Sequence, residues 1–265
     1  MTSLLDASPL RVMDVLRGER ESRPPANLTA AAGLRSQLED GIFERVGPDV
    51  LAVPLIIRAA SLRQSGITYE LTSSPLAQVR GILINQALRL LSVGVEIDDA
   101  FSDAFSAWRA DVGTNDLTNY VERLEGDERA RLITDVTAHC LTLKRSLGSL
   151  SSRWLPRTSL RAYQRLAGGN VVLRDVIDLM VGTTTSDDAS LALLDVTTSP
   201  LSEGAERIMR YHALVQTLRT STVPLRTSMF STATGELWSL DVDEELLNRS
   251  VFDVLNCVAE LSEAS

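Results

Sequence analysis

Lysine is all but missing from this 265-residue chain: Lys144 stands alone, and every other basic residue is arginine. The lack of a lysine at a catalytic position therefore says less here than in an ordinary sequence. Cysteine is scarce too, with only Cys140 and Cys257. Both lie inside apolar helical patterns and make no metal-ligand spacing. That excludes a disulfide scaffold and reads as buried free thiols in a reducing cytoplasm. No run of 18 or more apolar residues occurs, so no membrane partner is expected. The opening Ser3-Leu4-Leu5-Asp6 is too short and too acidic for a secretory core, which makes the cytoplasm the expected location. A nucleotide-binding loop is also missing, so any motor activity would have to reside in a partner.

What is present is an ordinary globular composition, 44% hydrophobic and 23% charged, long enough to bury one large core. The formal net charge of −9 repels nucleic acid at the level of the whole molecule. Polyanion binding would have to come from a local arginine patch or a metal site.

The apolar spacing predicts a short helical piece at Leu10–Leu16, then a proline-marked linker ending at Pro24-Pro25. A helix is expected over Leu28–Val46, stopped by Gly47-Pro48, with a β-branched extended segment over Val50–Ile57. Ser73-Ser74-Pro75 opens a helix through Leu91, apolar on two faces and so expected to be buried on two sides. One or two helices follow within Glu96–Val121, its acidic start a solvated face, and a long one spans Asp127–Leu147. The texture then changes to strands at Leu160–Leu166, Asn170–Val181 and Leu191–Val196, the first two joined by Gly168-Gly169-Asn170. A helix at Glu203–Leu218, strands at Pro224–Ser231 and Glu236–Leu240, and a helix at Asp243–Leu261 complete the pattern. The fold expected is α/β (mixed α+β), a central mixed sheet flanked by helices.

Two of these strands deliver an aspartate near their ends: Ile177-Asp178-Leu179 and Leu194-Asp195-Val196. On neighbouring strands, Asp178 and Asp195 would converge on one hard cation, and carboxylate oxygens suit Mg²⁺. Either residue also has a plainer reading, Asp178 as a strand-end side chain satisfying loop amides and Asp195 as a turn former. Strand alternation puts Asp175 on the opposite face from Asp178, in solvent. His139 and His212 lie within helices with no partner at zinc spacing and read as packing or surface residues.

From about Pro75 to the C-terminus this order resembles the RecB-like branch of the PD-(D/E)XK nuclease superfamily. The matching elements are a helix, a Gly-Gly hairpin, a strand ending in Asp-Leu, a strand where Asp-X-Lys belongs and a helix where Gln-X-X-X-Tyr belongs. The resemblance implies a restriction-endonuclease-like core over residues 61–265, with Asp178, Asp195 and the Val196 carbonyl as metal ligands. Four positions depart from the family pattern. Thr197 stands in the lysine slot, Arg207 in the glutamine slot ahead of Tyr211, and the preceding helix carries Asn85 and Arg89 in place of a histidine and an acid. Arg89, Arg207 and Tyr211 make a candidate DNA-binding set, with Tyr211 open between that role and a core position.

Three functions remain in play. One is a catalytically impaired nuclease-fold domain that binds DNA or serves as a scaffold, in repair or defence. Another is an active Mg²⁺-dependent DNA nuclease with a non-standard site, in which Asp178, Asp195 and an arginine act without lysine. The third is a protein-only partner of a helicase or ATPase. Residues 1–60 are expected to pack on the core as a helical extension, being too few to bury a core of their own. A fragment of residues 1–60 should accordingly be unfolded by circular dichroism; a cooperative thermal transition in that fragment would contradict this.

Overall fold

The computed structural model describes residues 12–18, 25–26, 29–47, 51, 53–63, 74–148, 150–184 and 188–263. Its elements are α1 (Val12–Arg17), α2 (Ala30–Val46), β1 (Leu55–Arg58), α3 (Ala59–Arg63), α4 (Pro75–Ser92), α5 (Ala100–Val112), α6 (Asp116–Arg123) and α7 (Gly126–Leu147). They continue with β2 (Arg157–Leu166), β3 (Val171–Val181), β4 (Ala192–Thr197), α8 (Gly204–Thr220), β5 (Arg226–Ser231), β6 (Leu237–Asp241) and α9 (Glu244–Glu263). Leu10, Leu28, Pro24, Pro48, Val50 and Ser73, named above, lie outside the described residues.

Local chemistry sets the helix starts. The Ser74 side chain accepts a hydrogen bond from the Ala77 N–H, and Pro75 occupies the first turn, where its missing N–H leaves no gap. Asp99 caps α5 through the Ser102 N–H. Asn115 and Thr118 form a reciprocal capping box on α6. Of the extended segment expected over Val50–Ile57, the strand is Leu55–Arg58, where its backbone pairs with β3; Val50 and Ala52 lie outside the described residues.

The sheet is six-stranded and mixed, and β3 is its spine. Along one side of β3 runs β2, antiparallel from Arg157↔Met180 to Leu166↔Val171. The other side is shared. Here β1 pairs in parallel with residues 171–174, and β4 pairs antiparallel with residues 179–181. Between those two partners, residues 175–178 face a gap in the sheet. β4 then pairs in parallel with β5, and β5 antiparallel with β6.

Helices cover both faces, giving three layers. One layer, with α1, α4, α5 and α7, packs its apolar faces on Leu179, Val181, Leu194 and Phe230. The other, with α2, α8 and α9, packs on Ile57, Val171 and Leu173. The N-terminal residues are built into this arrangement: Val12, Met13 and Leu16 belong to the first core cluster, and β1 is a strand of the sheet itself. Arg226 of β5 ties α1 down by donating to the Val15 carbonyl while pairing with Asp241 at 2.7 Å. Cys140 and Cys257 are both buried free thiols, and burial pushes them up to about 12 and about 11.

Gly182 ends β3 at a close backbone crossing. It has φ +95°, and a Cβ there would stand 2.2 Å from the Ser190 carbonyl oxygen. Its N–H donates to the Trp154 carbonyl at 2.8 Å. Backbone cannot yield as a side chain does, so Gly182→Ala should destabilise the fold by more than about 2 kcal/mol, read as a drop in the urea midpoint. An unchanged midpoint would contradict the crossing.

Candidate functional site

Asp178 and Asp195 meet at the gap in the sheet. The ladder between β3 and β4 ends at Leu179↔Leu194, so the two aspartates are the next opposing pair, just where the strands part. Their carboxyl groups hydrogen-bond each other, and Asp178 Oδ2 also accepts the Val196 N–H at 2.8 Å. The two residues thus lie on adjacent strands and the same face.

Asp175 joins them, contrary to strict alternation. It is buried, and its two carboxylate oxygens each lie 2.9 Å from Nδ1 of His212 on α8. Residues three apart on a regular strand point to opposite faces, so β3 must change phase between 175 and 178. The break is visible in two places. Ile177 and Met180, also three apart, share one core cluster. The β2–β3 register is the same on both sides, but the pair opposite Asp178 drops out of the ladder, and the residue there, Ser159, has φ +53°. The expectation of a solvated Asp175 fails for this reason.

His212 is likewise buried, not a surface residue. Its Nδ1–H donates to Asp175, and its Nε2 stands 3.7 Å from Asp195 Oδ2, too long for a hydrogen bond. That Nε2 is buried without a hydrogen-bond partner among the described residues. The imidazole therefore stands between Asp175 and Asp195. Burial by itself lowers the His212 pKa, but the Asp175 and Asp195 carboxyls outweigh it and hold it well above the ordinary 6.5. Asp178 is also pushed well above its ordinary value, by burial first and by Asp195 next, against the opposing pull of the Val196 N–H and His212. His212 follows Ile208 by four residues, so the apolar period of α8 already placed it on a buried stripe, but nothing in the sequence pointed to its acidic partner on β3.

The other candidate residues disperse. Thr197 accepts the Ser199 N–H at 3.2 Å on its hydroxyl and receives the Thr232 N–H and Oγ1–H on its carbonyl. Tyr211 is wholly buried, donating its hydroxyl to the carbonyls of Ile57 at 2.8 Å and Arg174 at 3.1 Å. It clasps β1 to β3 and has no surface to offer DNA, so its role is the core one. Burial and the nearby Asp175 push its pKa well up. Arg207 is exposed on the first turns of α8. Arg89 is paired with Asp111 of α5, in the helix layer that packs on Leu179 and Leu194, whose side chains point away from the neighbouring aspartates. Arg89 therefore does not line the acid cluster. His139 holds Thr232 at 2.8 Å from its Nδ1 and packs at the layer boundary.

These donors do not fit Mg²⁺ as arranged. The ion demands an octahedron of oxygens and keeps several waters. Asp178 is only 7% exposed with one oxygen committed to Val196, and the His212 Nε2 stands 3.7 Å from Asp195 Oδ2. Among the described residues, no three His, Cys, Asp or Glu side chains converge so as to hold a metal ion. No helix among them is long and apolar enough to cross a membrane.

No protein-family model matches the chain, and no curated protein matches it. Among solved structures, one similar chain is the crystal structure of SSO0001, at 9% identity and a TM-score of 0.32, with 86% of this chain and 84% of that chain covered. A likeness at that level carries no argument.

Two raised pKa values mean that folding takes up protons. The stabilisation from His212 is full below its unfolded value of 6.5 and is lost as pH rises through the higher folded value; Asp178 acts in the same direction from its lower unfolded value. Urea midpoints should therefore fall from about pH 6 to about pH 9, and Asp178→Asn, which mimics the protonated acid, should flatten the fall. His212→Gln should cost about 3–5 kcal/mol by stranding buried carboxylates. A midpoint independent of pH in the wild type would contradict the cluster.

Proposed function

We propose that the chain is a nuclease-like domain that does not cleave and acts as a binding or scaffold subunit of a nucleic-acid-handling assembly. The observation that carries this reading is the buried His212 ring seated between Asp175 and Asp195, an imidazole standing among the acids that a metal would need. Phosphodiester hydrolysis needs an activated water and a charge stabiliser on the leaving oxygen, both in reach of one phosphate. Here the lysine slot holds Thr197, whose hydroxyl is turned to the Ser199 amide. Arg89, in the family's neighbouring slot, is paired with Asp111 in the opposite helix layer and supplies no charge to the acids.

Several missing groups, each commonly responsible for factors of about 10² to 10⁴, leave a site below ordinary detection. Purified protein should accordingly leave linear single- and double-stranded DNA intact with Mg²⁺ or Mn²⁺, and calorimetric titration of either ion should give no saturable heat. Thr197→Lys alone should stay silent, because His212 still stands among the acids. Metal-dependent cleavage by the wild type that disappears in Asp195→Ala would overturn this reading in favour of an active nuclease with a non-standard site.

A further inference from the structure

We propose that the corner of the sheet formed by β1, β3 and β2, which no element among the described residues covers, binds single-stranded nucleic acid. The helix layer that covers Leu179 and Leu194 stops short of the N-terminal half of β3. On that side Arg58, Arg161, Tyr163, Arg165, Arg174 and Val176 are all exposed. Register puts them on one face: Arg161 opposes Val176, Tyr163 opposes Arg174, and Arg174 opposes Arg58. Strands lie about 4.8 Å apart, so the four guanidinium groups share one small area.

Such crowding is unfavourable by itself, since like charges directly opposite across a ladder repel. Among the described residues no carboxylate pairs with any of the four. An acidic protein that gathers unpaired arginines on one open face has built a local inversion of its own field, and the complementary ligand is a polyanion. Tyr163 selects the kind. Its ring is 53% exposed, with the Arg174 guanidinium 5.7 Å from the ring centre. An exposed aromatic ring among arginines offers a stacking platform for an unpaired base and charge for the backbone beside it. A duplex hides its base faces and is read by an element entering a groove, which this face lacks.

The inference rests on the proposed function only for the class of polymer. The arginine face lies on the side of β3 opposite the acid cluster, so the two can fail separately. Fluorescence anisotropy of labelled oligo-dT of about 20 nucleotides, in EDTA and low salt, reads binding without cleavage. The full chain should bind it more tightly than a duplex of equal length. Arg58→Ala, Arg161→Ala, Arg165→Ala and Arg174→Ala should each reduce the slope of log K against log salt by about 0.7 for every phosphate left without its arginine. Arg161→Lys should keep the slope. Tyr163→Ala should weaken binding about 5- to 150-fold, and Tyr163→Phe should not. No binding at low salt, affinity unmoved by these variants, or competition by polyglutamate as effective as by unlabelled oligo-dT would overturn the proposal. DNA cleavage by the wild type in Mg²⁺ would defeat the non-cleaving function and leave the sheet-face binding in EDTA intact.

Discussion

Three carboxyl groups brought out of water onto one side of a sheet repel one another and lose their hydration, and the middle of this molecule is arranged around that problem. Asp175, Asp178 and Asp195 are held together at the gap where β1 has ended and β4 has diverged. Two features answer it: Asp178 holds its proton more tightly than a free carboxyl, by burial first and Asp195 next, and the His212 imidazole is inserted from α8. Neither works without the other elements in register. Tyr211, the preceding residue on the same helix, fixes α8 by donating across the seam to the carbonyls of Ile57 on β1 and Arg174 on β3. A consecutive pair of polar side chains thus sets how a buried helix meets the sheet. Hydrogen bonds to otherwise unpaired buried groups are costly to lose, which makes this helix a poor candidate for movement.

The phase change in β3 is what makes the cluster possible. A regular strand would have put Asp175 and Asp178 on opposite faces, one in the core and one outside. The break beside Ser159 turns Asp178 inward beside Asp175 and leaves Arg174 and Val176 outward. One strand therefore presents acids to α8 and a basic residue to solvent, the break adding Asp178 to the face that Asp175 reaches by regular alternation. Breaks of this kind recur beside functional sites because they re-aim side chains without altering the surrounding ladder.

The two faces support different chemistry. The inner one is largely self-compensated: Asp175 meets the His212 ring nitrogen and Asp178 the Val196 amide. The outer one is uncompensated, with arginines that find no acid among the described residues. Function is more reasonably sought where electrostatic demand is left open than where it has been met.

Local signals legible in the amino-acid sequence determined much of the architecture. The apolar period of α4, α7 and α9, the Ser74-Pro75 start and the Gly168-Gly169 turn each depend on residues within one or two turns of chain, so helices and strands appear close to where the pattern puts them. The pairing of Asp178 with Asp195 was legible too, because both stand at the ends of consecutive apolar segments. What the sequence could not convey is the phase of β3, since a backbone break set by the partner strand leaves no periodic trace. Asp175 consequently read as solvated, and His212 as an incidental helix residue. Arg89, Arg207 and Tyr211 looked like one set by motif position, yet the sheet separates the first from the acids and the core absorbs the last. The basic face joins residues 58, 161, 163, 165 and 174, and only strand pairing brings β1 beside a hairpin a hundred residues later. Spacing along the chain fixes what a segment becomes; which side chains share a surface is decided by register between strands, a property of no single segment.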